Sequence, residues 1–61
     1  MEPIMVKQVA TYNLEVKPEQ EYVSLVEVRE EGGDEYEGYS VSITYEALPR
    51  LIAALEAVNS R

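Results

Sequence analysis

Carboxylates are the most abundant side chains of this chain that could do chemistry, and five of them crowd into one short stretch. Oxygen ligands suit hard cations, but the stretch lacks the D-x-[DN]-x-[DN]-G spacing of a calcium-binding loop. We therefore expect no metal site, and interpret the stretch as a solvated hairpin tip or, alternatively, as an acidic patch that faces a protein partner. The residues of this acidic patch are Glu30, Glu31, Asp34, Glu35 and Glu37.

The composition excludes most nucleophilic and metal-dependent catalysis. The chain has no His and no Cys, so Ser/His/Asp, Cys/His and zinc arrangements cannot be built within one chain. The glycine motifs that bind phosphate are also missing. A small sheet rarely encloses the dry pocket that paired carboxylates need for acid/base catalysis. We expect no catalytic residues and no cofactor, and hence a protein that is not an enzyme.

A second set of residues could bind single-stranded nucleic acid. Tyrosines stack on bases, each contact contributing about 1–3 kcal/mol, and cations neutralise phosphates. The candidate contacts are Lys7, Tyr12, Lys17, Tyr22 and Arg29. Against them stands a formal charge of −7, from 12 acidic and 5 basic residues, which repels phosphates and anionic lipids. The competing interpretation places Tyr39 in the core, and Tyr12 and Tyr22 on strand faces or at an interface.

The length of the chain predicts self-association. A domain of 61 residues buries only about 60% of the surface that its unfolded chain exposes, and this one has neither disulfides nor a zinc site to compensate. We therefore expect a homodimer. No window reaches the roughly 20 apolar residues of a membrane span, and the N-terminus lacks the pattern of a signal peptide. Together with the absence of Cys, this indicates a cytoplasmic protein.

Alternating apolar residues predict the strands that position these side chains within one domain. Each predicted strand is rich in β-branched and aromatic residues, and the first could bend and supply two. Pro18 ends the first strand, Gly32 and Gly33 suit a hairpin turn after the second, and apolar residues on both faces mark the second as central or covered. The predicted strands cover residues 4–16, 22–30 and 39–44 of the domain 1–61.

The spacing of the apolar residues becomes that of a helix near the C-terminus. Thr44 suits an N-cap, and an apolar stripe predicts a helix over residues 45–59, unless Pro49 delays its regular part until near Leu48. The stripe consists of Leu48, Leu51, Ile52, Leu55 and Val58. The predicted fold is α+β: an antiparallel meander of three or four strands, followed by one helix packed on one face, in a homodimer.

The order of these elements resembles the transcriptional coactivator PC4 family and the related PUR-type folds. The likeness rests on "VRE" at residues 28–30 and on "SVSIT" at residues 40–44, which leads into the striped helix. It implies a curved sheet that binds single-stranded nucleic acid and a dimer that completes the core. Where the family carries a basic turn before its last strand, this chain has "YEGYS" at residues 36–40. Of the residues that would touch nucleic acid, only Arg29 matches in type.

A second resemblance links "YVSLVEVREEGGDEYEGYSVSI", residues 22–43, to HicB-type antitoxin domains, which bind a toxin. The helix start that this family has after the hairpin is missing here. Taken together, the sequence predicts a small acidic, non-enzymatic, dimeric regulatory or adaptor module that binds a protein partner on a PC4-like scaffold. Two alternatives remain open: a single-stranded nucleic-acid-binding protein resembling a transcription regulator, and an acidic antitoxin or nucleic-acid mimic.

Overall fold

The computed structural model describes residues 1–8 and 11–61, and in this part of the chain four strands are followed by one helix. The strands form one antiparallel sheet in sequence order. The elements are β1 (Ile4–Lys7), β2 (Tyr12–Pro18), β3 (Tyr22–Glu31), β4 (Asp34–Thr44) and α1 (Leu48–Asn59). The predicted α+β fold, an antiparallel meander with a C-terminal helix, is confirmed.

The segment predicted as a strand over residues 4–16 supplies two strands. β1 and β2 pair from Ile4 opposite Val16 to Lys7 opposite Asn13, which gives the four-stranded version of the fold. Residues 9 and 10, which the prediction included, lie outside the described residues. β2 runs on to Pro18, which is tolerated at the end of a strand because its missing N–H breaks no interior hydrogen bond of the sheet.

β3 is one of the two inner strands of the sheet and supplies its buried apolar residues. It pairs with β2 on one side and with β4 on the other. Val23, Val26 and Val28 are its buried residues. Val23 projects from one face of the sheet, and Val26 and Val28 from the other, because successive side chains of a strand alternate. The prediction of a central or covered strand is therefore confirmed.

The register divides the sheet into two faces, since directly opposite residues project from the same side. The apolar face carries Ile4, Val6, Leu14, Val16, Val23, Leu25, Val41 and Ile43. The polar face carries Lys7, Asn13, Glu15, Lys17, Ser24, Ser40 and Ser42 around the buried Val26 and Val28.

A two-residue turn joins β3 to β4. Gly32 and Gly33 have φ values of +59° and +86°, and glycine adopts such values without steric cost, as a type I′ turn requires. β4 therefore begins at Asp34, well before the predicted strand start at residue 39. The carboxylates of its first residues argue against a strand by propensity alone. They are tolerated because β4 is an exposed edge strand, where charged side chains are common.

A β-bulge interrupts β4. Val26 pairs with Ser40, whereas Val28 pairs with Glu37, so that Gly38 and the residue after it together lie opposite a single residue of β3. A Cβ atom on Gly38 would lie 2.5 Å from Oε1 of Glu27, and glycine leaves that space to the Glu27 side chain. Gly38 divides β4 into an acidic half before it and an uncharged half, Tyr39–Thr44, after it.

The helix begins at Leu48, the later of the two starts that the sequence left open. Thr44 accepts two hydrogen bonds from the backbone N–H of Ala47, one at its carbonyl (3.0 Å) and one at Oγ1 (3.2 Å). Thr44 thus closes a turn before the helix, and Ala47 occupies the N-cap position. Pro49 falls in the first turn of α1, where a backbone donor is not needed. The regular helix starts at Leu48, and not at residue 45.

The helix packs on the sheet only at its start, which corrects two predictions. Leu48 and Leu51 are half-buried, whereas the rest of the apolar stripe is exposed. Those exposed residues are Ile52, Leu55 and Val58. Packing on one face therefore holds for the first turn alone. Tyr39, expected in the core, is 88% exposed, because β4 is an edge strand and the described part of the helix does not cover this end of the apolar face.

Candidate functional site

The sheet separates the candidate nucleic-acid contacts onto two faces. Tyr12 lies directly opposite Arg29, and both project from the apolar face. The other candidates project from the polar face, as their pairing shows: Lys7 is opposite Asn13, Lys17 opposite Ser24 and Tyr22 opposite Thr44. A single strand of nucleic acid that lies on one face can therefore reach only part of the set.

The two lysines of the polar face are already paired with carboxylates. Lys17 Nζ lies 2.9 Å from Glu37 Oε1 and 3.5 Å from Glu15 Oε1, and Lys7 Nζ lies 3.9 Å from Glu30 Oε1. The hydrogen bond with Glu37, then the charge of Glu37, raises the pKa of Lys17 above its ordinary value, and Glu15 adds to the effect. The negative charge beside both lysines therefore disfavours a phosphate.

Arg29 stands in a comparable environment on the other face. Its pKa is raised chiefly by Tyr12, which lies within hydrogen-bonding reach, and then by the negative charge of Glu31. Tyr12 is itself exposed beside it. Arg29 and Tyr12 are cross-strand neighbours on the apolar face, so Arg29 does not form a cationic groove with the lysines of the polar face.

The acidic patch forms the tip of the β3–β4 hairpin. Glu30 lies opposite Glu35, and Glu31 opposite Asp34, so like charges face each other across the ladder at the turn. Glu37 is engaged by Lys17. Among residues 1–8 and 11–61, no group of three or more acidic side chains is arranged to hold a metal ion. The geometry is that of a hydrated tip whose charges spread over both faces.

One feature that the sequence did not predict is an open apolar surface on the helix. Leu55 and Val58 are 59% and 61% exposed, and with Ile52 they line a shallow groove edged by Glu56 and Asn59. The periodicity identified this stripe correctly. It could not reveal what covers the stripe, because a helix that packs on its own sheet and one that packs on another molecule show the same pattern.

A cleft lies between the start of the helix and the apolar face. Its volume is about 400 Å³, and side chains of β1, β2, β3 and the helix line it, among them Ile4, Val16, Pro18, Val23 and Leu48. Tyr45 closes one end, where its hydroxyl donates a hydrogen bond of 2.6 Å to the carbonyl of Glu19. The lining is almost entirely apolar, so the cleft offers packing surface without groups for acid/base chemistry.

The surface area of the chain measures how much remains uncovered. The chain exposes 5037 Å², whereas a folded monomer of 6.9 kDa is expected to expose about 4,000 Å². The difference, about 1,000 Å² per chain, is comparable to the roughly 800 Å² that each partner contributes to a standard protein–protein interface.

Neither a protein-family model, nor a curated protein, nor a solved structure matches this chain. In the described ranges 1–8 and 11–61, no helix has the length and apolar character needed to span a membrane. The described residues present three distinctive surface features: an open apolar helix stripe, an open sheet edge, and two lysines paired with carboxylates.

Proposed function

We propose that this protein is a small homodimeric, non-enzymatic regulatory or adaptor module of the cytoplasm, which binds a protein partner on a PC4-like scaffold. The observation that carries the proposal is the open apolar side of α1, formed by Ile52, Leu55 and Val58. Contiguous exposed apolar surface rimmed by polar residues is typical of protein-interaction sites. An amphipathic helix of this kind docks against a hydrophobic groove through residues spaced three and four apart.

Charge indicates the chemistry of the partner. The chain carries a formal charge of −7, and Glu56 lies at the edge of the helix groove. A partner with an apolar centre and a basic rim would be attracted over long range and would match the stripe at contact. Nucleic acid matches neither property. An antitoxin or a nucleic-acid mimic is a special case of this proposal, in which the basic partner is a toxin or a nucleic-acid-binding protein.

Homodimerisation is supported by the area that the single chain leaves exposed. The excess of about 1,000 Å² per chain is near what a standard interface requires. A non-enzymatic role is supported by the apolar lining of the cleft beside Leu48, since acid/base chemistry needs polar groups that converge in a partly dry pocket.

The test compares the protein with a variant whose stripe is polar, L55S/V58S. The matched control is A53S/A57S, which introduces the same residue type on the opposite side of the helix. Proteins that the wild type and the control recover from host extract, and that the stripe variant loses, are then purified and titrated by calorimetry. We expect a basic protein whose affinity falls at least tenfold with L55S/V58S, the equivalent of about 1.4 kcal/mol.

Two results would overturn the proposal. A stripe variant that binds every recovered protein as tightly as the control would show that the stripe is not a partner site. A stripe variant that becomes monomeric, while the control stays dimeric, would show that the stripe joins two copies of this chain. Light scattering on all three proteins distinguishes these cases, with a dimer expected at twice 6.9 kDa.

A further inference from the structure

β4 leaves one long edge of the sheet open. The sheet has two edge strands, β1 with 4 residues and β4 with 11. Every residue of β4 except Ile43 is exposed. A long, exposed edge presents a row of unpaired backbone donors and acceptors, and it is a template for another strand unless a protein blocks it.

The residues that discourage pairing with another strand, the charged side chains and the glycine, all lie in the first half of β4. The first half contains Asp34, Glu35 and Glu37 and ends at Gly38. The second half, Tyr39–Thr44, contains no charged residue, no Gly and no Pro, and it alternates β-branched or aromatic residues with Ser. In a chain of charge −7, this is the part of the edge where a second negatively charged molecule meets the least repulsion.

The chain that follows β4 turns away from this edge. Tyr45 reaches back to the β2–β3 turn, where its hydroxyl bonds to the carbonyl of Glu19. Leu48 then enters the cleft beside Val16 and Val23, on the side of β3 remote from the open edge. The start of the helix therefore leaves the outer side of Tyr39–Thr44 accessible.

We propose that Tyr39–Ile43 pairs antiparallel with the same segment of a second copy, about a two-fold axis at Val41, so that two four-stranded sheets become one of eight strands. The proposal rests on the homodimer proposed above and specifies its interface. The pairing would add roughly four to six backbone hydrogen bonds, according to which residues point outward.

The pleat restricts the register. Opposite residues must project from the same face, so a residue can face only a partner residue of the same parity. With Val41 on the axis, Tyr39 lies opposite the partner's Ile43, and Val41 opposite the partner's Val41, which joins the two apolar faces. An axis at Ser42 would also satisfy parity, but it would leave Tyr39 beyond the last pair. Aromatic and β-branched residues form favourable cross-strand pairs, so the Val41 register is preferred.

Electrostatics is compatible with this register. With Val41 on the axis, Glu37 and the partner's Glu37 are eight residues apart along the ladder, a distance of about 27 Å. This distance exceeds the Debye length of about 8 Å at physiological ionic strength. The acidic halves of the two β4 strands would thus lie at opposite ends of the interface, where salt screens their repulsion.

Single cysteines test the register, because the chain has none of its own. In the proposed register, the Cα atoms of V41C are about 4.5–5.5 Å apart, within the range that a disulfide bridges. The Cα atoms of S42C are separated diagonally by about 7–8 Å. We expect V41C to cross-link under mild oxidation at least about tenfold faster than S42C, at equal protein concentration and with circular dichroism like that of the wild type.

A charged variant supplies the second measurement. V41K places two ammonium groups opposite each other on the axis, so light scattering should give a monomer, whereas V6K on β1 should stay dimeric. A wild-type protein that is monomeric at micromolar concentration would overturn both this interface and the homodimer. A dimer that persists in V41K, or in which S42C cross-links as fast as V41C, would overturn this interface and leave the homodimer and the partner site intact.

Discussion

Lys17 on β2 reaches across β3 to Glu37 on β4, where its Nζ donates a hydrogen bond to Oε1 at 2.9 Å. Lys17 lies opposite Ser24, and Glu37 lies opposite Val28, so the ion pair runs diagonally over the polar face. Glu37 stands immediately before Gly38 of the bulge. The pair therefore ties the acidic half of the edge strand to the opposite side of the sheet.

Replacing Glu37 by Gln should lower the pKa of Lys17 towards its ordinary value. Glu37 makes the largest contribution to the raised pKa, and the weaker effect of Glu15 remains. An NMR titration of the Lys17 side chain measures the change. E35Q is the matched control, since Glu35 lies opposite Glu30 and not beside Lys17. An unchanged pKa in E37Q would contradict the pair.

The raised pKa also fixes the sign of a pH effect on stability. The contribution of the pair is fully present below the unfolded-state pKa of Lys17, about 10.4, and it is lost as pH rises through the higher folded-state pKa. Urea unfolding at pH 7 and near pH 11 should show the wild type losing more stability than E37Q over this interval. Equal losses in both proteins would show that the pair adds nothing.

Single-stranded DNA should not bind. The lysines of the polar face are paired with carboxylates, and Arg29 lies on the opposite face. Titration of labelled oligo-dT at low salt, where electrostatic binding is strongest, should give no signal with the wild type or with K17E. Binding that falls with added salt, and that K17E weakens, would instead establish nucleic acid as the ligand.

Substitutions at the two glycines of the β3–β4 turn should differ in their effect on stability. Gly33, with φ of +86°, should tolerate Ala poorly, at a cost of about 1–2 kcal/mol. G32N should stay within about 0.5 kcal/mol of the wild type, because Asn accepts positive φ in type I′ turns. Urea unfolding at one protein concentration compares them, since dimerisation would couple stability to concentration. Equal losses in both variants would argue against this turn.

Asn13 should be a determinant of stability although it is polar. It is 1% exposed, and its Oδ1 accepts a hydrogen bond of 3.4 Å from the backbone N–H of Gln8. N13A removes the acceptor and leaves a void, which should cost about 1–3 kcal/mol. N59A, at the exposed end of α1, should change stability by less than about 0.5 kcal/mol. Similar melting temperatures for N13A and the wild type would contradict this role.

The sequence predicted those elements in which the positions of the apolar residues reflect which side chains are buried. Apolar residues on both faces of the segment 22–30 identified an inner strand, and the position of Pro49 indicated that the regular helix starts near Leu48. The acidic first half of β4 escaped prediction because its strand conformation comes from the Gly32-Gly33 turn and from pairing with β3. Pairing overrides a weak local propensity.

The candidate site was less predictable, because it depends on which side chains the register brings together. The sequence could name Lys17 and Arg29, but their separation onto opposite faces follows from the pairing of β2 with β3. Tyr39 shows the same limit. The alternation of residues 39–44 predicts that Tyr39 and Val41 project from the same face of the sheet. Only the position of β4 at the edge of the sheet shows that Tyr39 is uncovered there.

The bulge at Gly38 limits how far a paired strand can extend along β4. A strand that docks on Tyr39–Thr44 meets a break in the ladder before it can continue along β4, and the opposite edge, β1, has only 4 residues. A two-fold axis pairs the β4 edge of one chain with the β4 edge of the other, so that neither β4 edge stays open. The assembly therefore closes at two chains and does not grow into an open filament. Gly38 would then limit the length of the paired edge, while the two-fold axis limits the assembly to two chains.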